Sequence, residues 1–262
     1  MDLTFIIPTR IESEDRLRNI IASVSYILKH TDAKIIVKEV APHNTFLFRA
    51  LPLIKKYVDT TNLKHIFEES NEKLFCKSKV LNDLIVESDT KFVANYDTDC
   101  ILPLESYREA YNLLESDQAD VVYPYQCGIY QWRANFKMNV FNSFMNTLST
   151  DVLDKDKSLS NSTIGWTQFV NREKYIQSYM MNENFISWGC EDDEFYFRMS
   201  TLGNRIGRVH NYVYHLEHSR THNSWFSNPN FNSNYQLWSS IKTFDRQQLM
   251  NYYKDQSYLK TR

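Results

Sequence analysis

The sequence predicts an α/β protein built on an open, mostly parallel sheet flanked by helices. Three observations predict it. Three short runs have the length of strands: Leu3–Ile7, continuously apolar as in a strand buried on both faces, and the mainly apolar Ile35–Val40 and Lys91–Tyr96. Between them lie segments whose apolar residues recur at helical spacing, so strand and helix alternate from the start of the chain. Arg10 and Asp97-Thr98-Asp99 stand just beyond the carboxyl ends of two of these runs, where ligands of such sheets bind.

Taken in order, Leu3–Ile7 ends at Pro8-Thr9-Arg10, and a helix begins at Ser13 or Glu14 with Leu17, Ile20, Ile21, Val24 and Leu28 on its inner face. Ile35–Val40 is the second strand. Phe46–Val58 is expected to be helical with an interruption at Pro52, and Ile66-Phe67-Glu68 is a short third strand. Ser78–Val86 reads as a helix and Lys91–Tyr96 as the fourth strand; Leu104–Glu115 is helical, Asp120–Tyr125 a strand and Phe136–Leu148 a helix. Ser149–Ser162 is polar and Ser-rich, which predicts a loop and a lid that orders over bound ligand. Order resumes at Gly165–Val170, and Arg172–Met181 is helical. The run Phe185–Trp188 is strand-like, Arg208–Leu216 is a strand, Asn223–Asn234 is Asn-rich and irregular, and one last amphipathic helix covers about Leu237–Tyr253.

At 262 residues and a net charge of −2, the chain has ample material for a core and no basic excess that would argue for nucleic acid. Aromatics make up 15%, a richness that suits a carbohydrate-facing cleft as well as ordinary packing. Cys76, Cys100, Cys127 and Cys190 show no paired spacing, so free thiols in a reducing, cytoplasmic setting are expected. The chain opens on a strand, and neither signal peptide nor membrane anchor is expected.

The least expected run is Glu191-Asp192-Asp193-Glu194, after Trp188-Gly189-Cys190. Phe195, Met199 and Leu202 follow at helical spacing and Gly203-Asn204 supplies a stop, so the acids occupy a helix's first turn. The dipole stabilises negative charge there, which alone would explain one or two acids. Successive helical residues point about 100° apart, so Glu191, Asp192 and Asp193 cannot share one partner. A carboxylate beside an aromatic ring has the surroundings of a general base. Asp97 and Asp99, two apart at a strand end, face one side and suit a divalent cation holding a diphosphate, although the same pattern serves plain turns. His215 and His218 can converge on one cation with Asp99, or simply form a surface turn flanked by His210 and His222. Lys77 and Lys79 sit near a helix start, where cations oppose the dipole; a nucleotide diphosphate is a natural counter-charge, and solvent is the alternative.

Trp188-Gly189-Cys190-Glu191-Asp192-Asp193 resembles the Trp-Gly-Gly-Glu-Asp-Asp signature of inverting GT-A glycosyltransferases, the β-1,4-galactosyltransferase group and its bacterial polysaccharide-polymerising relatives. Cys190 replaces the second glycine, which implies a backbone there that does not need positive φ. Phe75-Cys76-Lys77-Ser78-Lys79-Val80-Leu81-Asn82 is similar to the family's Phe-x-Arg-x-Lys-x-x-Asn segment, Pro8-Thr9-Arg10 to its nucleotide-contacting strand end, and Gly165-Trp166 to a Gly-Gly near the donor sugar. His218-Ser219-Arg220 is similar to the context of its metal-binding histidine, with His215 where the family has methionine.

The resemblance implies a single GT-A domain over 1–262, with 1–125 binding the nucleotide-sugar and 126–262 binding the acceptor and completing the metal site. It implies transfer of a hexose, galactose or N-acetylgalactosamine favoured, from a UDP-sugar to a sugar hydroxyl on an oligosaccharide or lipid-linked glycan, with peripheral membrane association only through that acceptor. Asp192 would be the base. Trp188, Glu191, Asp193, Gly165 and Trp166 would contact the sugars, and Pro8, Thr9, Arg10, Lys77, Lys79 and Asp97 the nucleotide. Asp99, His215 and His218 would hold Mn²⁺ or another divalent cation. A metal-dependent hydrolase using Asp99, His215 and His218, or a non-catalytic carbohydrate-binding protein, are the alternatives.

Overall fold

The computed structural model describes residues 1–160 and 164–260. In its first half, strand β1 (Leu3–Thr9) leads into helix α1 (Glu14–His30) and strand β2 (Lys34–Ala41). Helix α1 has Glu14 and Asp15 in its first turn and Lys29 and His30 in its last, charges that match the dipole at each end. A π-helical turn, Phe46–Ala50, and the short α2 (Leu51–Ile54) stand where a longer helix is expected. Next come β3 (Leu63–Glu69), α3 (Lys77–Glu87), β4 (Phe92–Tyr96), the two-residue β5 (Cys100–Ile101), α4 (Leu104–Glu115) and β6 (Val121–Tyr123). The bounds of α4 coincide with those its apolar spacing predicts.

The second half contributes β7 (Gln131–Ala134), α5 (Met138–Thr147), β8 (Lys157–Leu159), β9 (Thr167–Asn171), α6 (Arg172–Gln177), α7 (Glu191–Thr201), β10 (Ile206–Arg208), β11 (Val213–Leu216), α8 (Phe231–Ile241) and α9 (Arg246–Lys254). The main sheet has the order β10-β6-β9-β4-β1-β2-β3. It is parallel except at β9, which runs antiparallel to both β4 and β6. Alternating side chains of β1 divide the interior: Phe5 and Ile7 face a core with α1, α4 and α5, while Ile6 faces a second core with α3, α6 and α7. Each fully buried side chain of this kind contributes roughly 1.5–3 kcal/mol.

A second sheet, β5-β11-β7-β8, takes its first strand from the chain just past the carboxyl end of β4. Its antiparallel pairing sets His215 opposite Cys100, one residue past Asp99. This register brings the two halves of the chain together at the strand ends.

Several expected elements differ. The stretch 208–216 is two strands in two sheets. The final helix is two helices, because Asp245 and Gln248 form a capping box that starts α9 afresh. Thr150–Lys155 is a 3₁₀ helix capped by Ser149, and β8 pairs with β7, so most of the expected loop is docked on the second sheet. Its last residues, Asn161 and Ser162, lie outside the described residues. Phe185–Trp188 belongs to neither sheet: Ser187 has φ +61°, which no strand tolerates. Cys190 also has positive φ, +68°, so the cysteine occupies the left-handed conformation without being a glycine. Among the described residues, no helix is long and apolar enough to cross a membrane.

Candidate active site

The ends of β1 and β4, the turn before β9 and the start of α7 enclose one pocket. Pro8, Thr9 and Arg10 line it from β1, Asp97 and Asp99 from β4, Gly165 and Trp166 from the turn, and Trp188, Glu191 and Asp192 from α7 and its approach. Lys77, at the first position of α3, reaches into its centre. Its Nζ lies 2.9 Å from Asp97 Oδ1 and 3.8 Å from Asp192 Oδ2. Burial works to discharge Lys77, but Asp192, Asp97 and Glu191 hold its pKa well above the ordinary lysine range.

The same burial pushes the Asp192 carboxyl well above the usual carboxylate range, against the pull of Lys77 and with the push of Glu191 and Asp97. Its side chain keeps 23% exposure, enough to meet a substrate. Gly165 lies flush against it, since a Cβ built there would come 1.9 Å from Asp192 Oδ2. Glu191 folds back, one carboxylate oxygen accepting from the Gly189 N–H at 2.8 Å.

Asp99, His215 and His218 form the pocket's other pole, with one donor atom from each within 4.8 Å of the others. His218 Nδ1 is 2.8 Å from the Ser219 carbonyl, which can only accept, so that nitrogen carries the proton. Its Nε2 lies 2.9 Å from Asp99 Oδ2, so a protonated ring donates to the carboxylate, and a neutral ring offers its lone pair, with that oxygen, to a cation between them. His215 Nε2 is 3.6 Å from the same oxygen, and its Nδ1 faces Glu217 at 3.7 Å, the place a carboxylate takes behind a histidine that could hold a metal. Burial would raise Asp99, but His215 and His218 hold it well below the carboxylate range. One carboxylate and two imidazoles fit a first-row divalent cation such as Mn²⁺.

A sequence model of the N-terminal domain of galactosyltransferase matches residues 153–219, a span that includes the acidic run and both histidines. No curated protein matches the chain. Among solved structures, S. aureus TarS 1-349 in complex with UDP-GlcNAc superposes with a TM-score of 0.60 at 15% identity, over 92% of this chain and 66% of that one. GalNAc-T7 with UDP, GalNAc and Mn²⁺ gives 0.62 at 13% identity, over 91% and 47%. The mannosyltransferase PcManGT from Pyrobaculum calidifontis, in complex with GDP-Man and Mn²⁺, gives 0.53 at 14%, over 82% and 56%. The chain has the GT-A fold. It thus spans less than two thirds of the length of each of these GT-A proteins. The fold and the galactosyltransferase match together support a glycosyltransferase, as the resemblance of the acidic run implies.

Of the expected site residues, the GT-A pocket gathers Pro8, Thr9, Arg10, Lys77, Asp97, Asp99, Gly165, Trp166, Trp188, Glu191, Asp192, His215 and His218. Lys79 is a correction. Two helical residues on from Lys77, it points about 200° away, and its Nζ pairs with Asp83 at 3.1 Å on the exposed side of α3. Asp193 faces a neighbouring cavity with Trp188 and Asp192. Trp166 packs its ring 5.3 Å from that of His215. Arg10 donates to backbone carbonyls, its Nε to Val40 of β2 at 2.8 Å and its Nη1 to Glu72 at 2.7 Å, with Phe75 beneath it. His210 and His222 are exposed, as expected.

Sequence reasoning missed four groups. Arg16 and Arg220 line the pocket near Asp99, and Arg16 Nε and Nη2 are buried without a hydrogen-bond partner. Asp15 accepts from the Ser219 N–H at 2.6 Å and so pins the His218 turn to the start of α1. Asn228 Nδ2 donates to the carbonyls of Ile186 and Trp188 at 3.0 and 2.7 Å, and Asn234 both donates to and accepts from Ile186. Asn223 accepts from the Ser187 hydroxyl at 2.9 Å. The signal was the cluster of asparagines in 223–234, of which Asn223 and the buried Asn228 and Asn234 replace a strand ladder for the segment leading into α7.

Proposed function

We propose that the chain is a metal-dependent inverting glycosyltransferase that moves a hexose from a UDP-sugar to a sugar hydroxyl, galactose or N-acetylgalactosamine being the favoured donor sugars. The observation that carries the reading is the convergence of Asp192, Gly165, Lys77 and Asp97 in the pocket whose other pole is Asp99, His215 and His218. The galactosyltransferase match supports the choice of sugar.

Asp192 takes the proton of the acceptor hydroxyl as its oxygen attacks the anomeric carbon and the bond to UDP breaks on the opposite face. A recessed carboxylate with a raised pKa is basic enough for that transfer. Lys77 favours its ionised form against the effect of burial and adds positive charge beside Asp97. Glu191 and Asp193 orient hydroxyls of donor and acceptor, and Pro8, Thr9 and Arg10 carry the nucleotide. Asp99, His215 and His218 would hold Mn²⁺, which when bound offsets negative charge on the leaving diphosphate. Residues 1–125 supply the nucleotide half and 126–262 the acceptor half. The acceptor is an oligosaccharide or lipid-linked glycan, and four free cysteines agree with a reducing, cytoplasmic setting.

The test is a screen of UDP-sugars with manganese, in wild type and Asp99→Ala, reading UDP release with and without oligosaccharide acceptors. Manganese-dependent release from UDP-galactose or UDP-N-acetylgalactosamine, lost in Asp99→Ala, is expected. No turnover of any UDP-sugar, or turnover indifferent to chelation, would overturn the reading.

A further inference from the structure

Beyond Asp192, on the side away from Lys77, lies a second cavity of about 450 Å³. It shares Trp188, Glu191 and Asp192 with the nucleotide pocket, so the proposed base stands at the junction of the two. Its far wall is aromatic. The rings of Trp188, Phe231 and Tyr235 lie in near-parallel planes, 21° and 25° apart, and Phe226 stands edge-on across Trp188 and Phe231. Phe226 and Tyr235 are 60% and 52% exposed, after Phe48 the most exposed aromatic rings among the described residues. The wall is held in place, not draped: Asn228 and Asn234 fix the Trp188 backbone, and a Cβ at Gly189 would come 2.9 Å from the Phe231 ring.

Rings beside hydrogen-bonding carboxylates are the chemistry that recognises a pyranose, whose C–H face covers a ring while its hydroxyls reach acids. Charge narrows the choice. Asp193 lines this cavity, is exposed, and has no cation within ion-pair distance among the described residues. Lys77 lines only the nucleotide pocket, and no Lys or Arg is among the residues lining this cavity, Lys242 acting on Cys190 from outside it. The three lining carboxylates, Glu191, Asp192 and Asp193, outnumber that one cation and disfavour uronates, phosphosugars and an anionic membrane surface.

We propose that Phe226, Tyr235 and Asp193 form a distal acceptor subsite, which takes the second pyranose of a neutral glycan while the first presents its hydroxyl to Asp192. The inference rests on the glycosyltransferase reading and adds the acceptor's class: uncharged, and at least two sugars long.

The test uses the full chain with saturating UDP and manganese. Neutral cello-, N-acetylchito- and galacto-oligosaccharides, mono- to tetrasaccharide, are titrated calorimetrically, with oligogalacturonides as the charged match. In at least one neutral series affinity should rise about fivefold or more from one unit to three, a gain lost in Phe226→Ala and in Tyr235→Ala. Both positions are exposed, so the variants should keep their melting temperatures. Oligogalacturonides should bind about tenfold more weakly, and Asp193→Asn should narrow that gap. Length-blind binding in every neutral series, a gain that survives both alanine variants, or preferred binding of uronates would overturn the inference. So would wild-type binding to phosphatidylcholine–phosphatidylglycerol vesicles that disappears in the two variants, which would make the wall a membrane face. Failure of UDP itself to bind would overturn the transferase reading and this inference with it, whereas UDP binding with length-blind sugars overturns this inference alone.

Discussion

Gly165 is the floor against which Asp192 rests: a single methyl group at 165 would penetrate the carboxylate, 1.9 Å from its Oδ2. No positive φ is required there, so the glycine serves close approach alone. Gly165→Ala should therefore fold normally but displace the proposed base, lowering turnover by about 10²-fold, with UDP affinity changed much less. Steady-state kinetics beside UDP titration would check this. Equal losses in both would mean that the methyl group disturbs the whole pocket.

The Lys77–Asp192 contact makes a pH prediction. As a base, Asp192 must be ionised, so kcat/KM should rise with pH along a limb lying above the ordinary aspartate value of about 3.9. Burial raises Asp192 and Lys77 lowers it. Removing the cation in Lys77→Met should move the limb to still higher pH. A limb that stays in place would detach Lys77 from the base.

Much of this was legible in the sequence, for identifiable reasons. Strands β1 and β4 are mainly apolar because both of their faces are covered, and α4 runs from Leu104 to Glu115 as expected. The acids, the histidines and Asp99 stood out in the sequence because their residue types are costly without a purpose, and the fold places them around one pocket and its neighbour. Lys79 was misplaced because a linear motif hides the rotation of a helix. The backbone at Ser187 and Cys190 was not legible at all. Left-handed conformations cost an ordinary residue roughly 1–2 kcal/mol, and only distant groups, here the amides of Asn223 and of the buried Asn228 and Asn234, hold that segment in place.

That cost is measurable at Cys190. Cys190→Gly relieves the strain while adding unfolded-chain entropy, so stability should stay within about 1 kcal/mol of wild type. Cys190→Val, β-branched in the same conformation, should lose about 2 kcal/mol or more. Urea unfolding of both would decide; a glycine variant as unstable as the valine one would place the value of Cys190 in its packing.

Arg198 is fully buried under α7. Its Nε meets Glu194 at 2.8 Å, its guanidinium also donates to the Ser178 and Met180 carbonyls, and Tyr253 lies 4.8 Å beneath it. Tyr179 and Met180 have positive φ, so this one side chain satisfies a strained turn as well as a buried acid. Arg198→Met should cost about 3–5 kcal/mol by stranding Glu194, and adding Glu194→Leu should recover part of it. Calorimetric unfolding of the single and double variants checks the sign of that recovery.

The assignment of Asp192 as base is most directly tested by Asp192→Asn, with turnover and UDP-sugar affinity measured on one preparation at saturating manganese. The amide keeps the shape against Gly165 and removes only the basicity. Turnover should fall by about 10²-fold or more while affinity stays within a few-fold. An Asp192→Asn enzyme that turns over normally, above all beside an inactive Asp193→Asn, would contradict it.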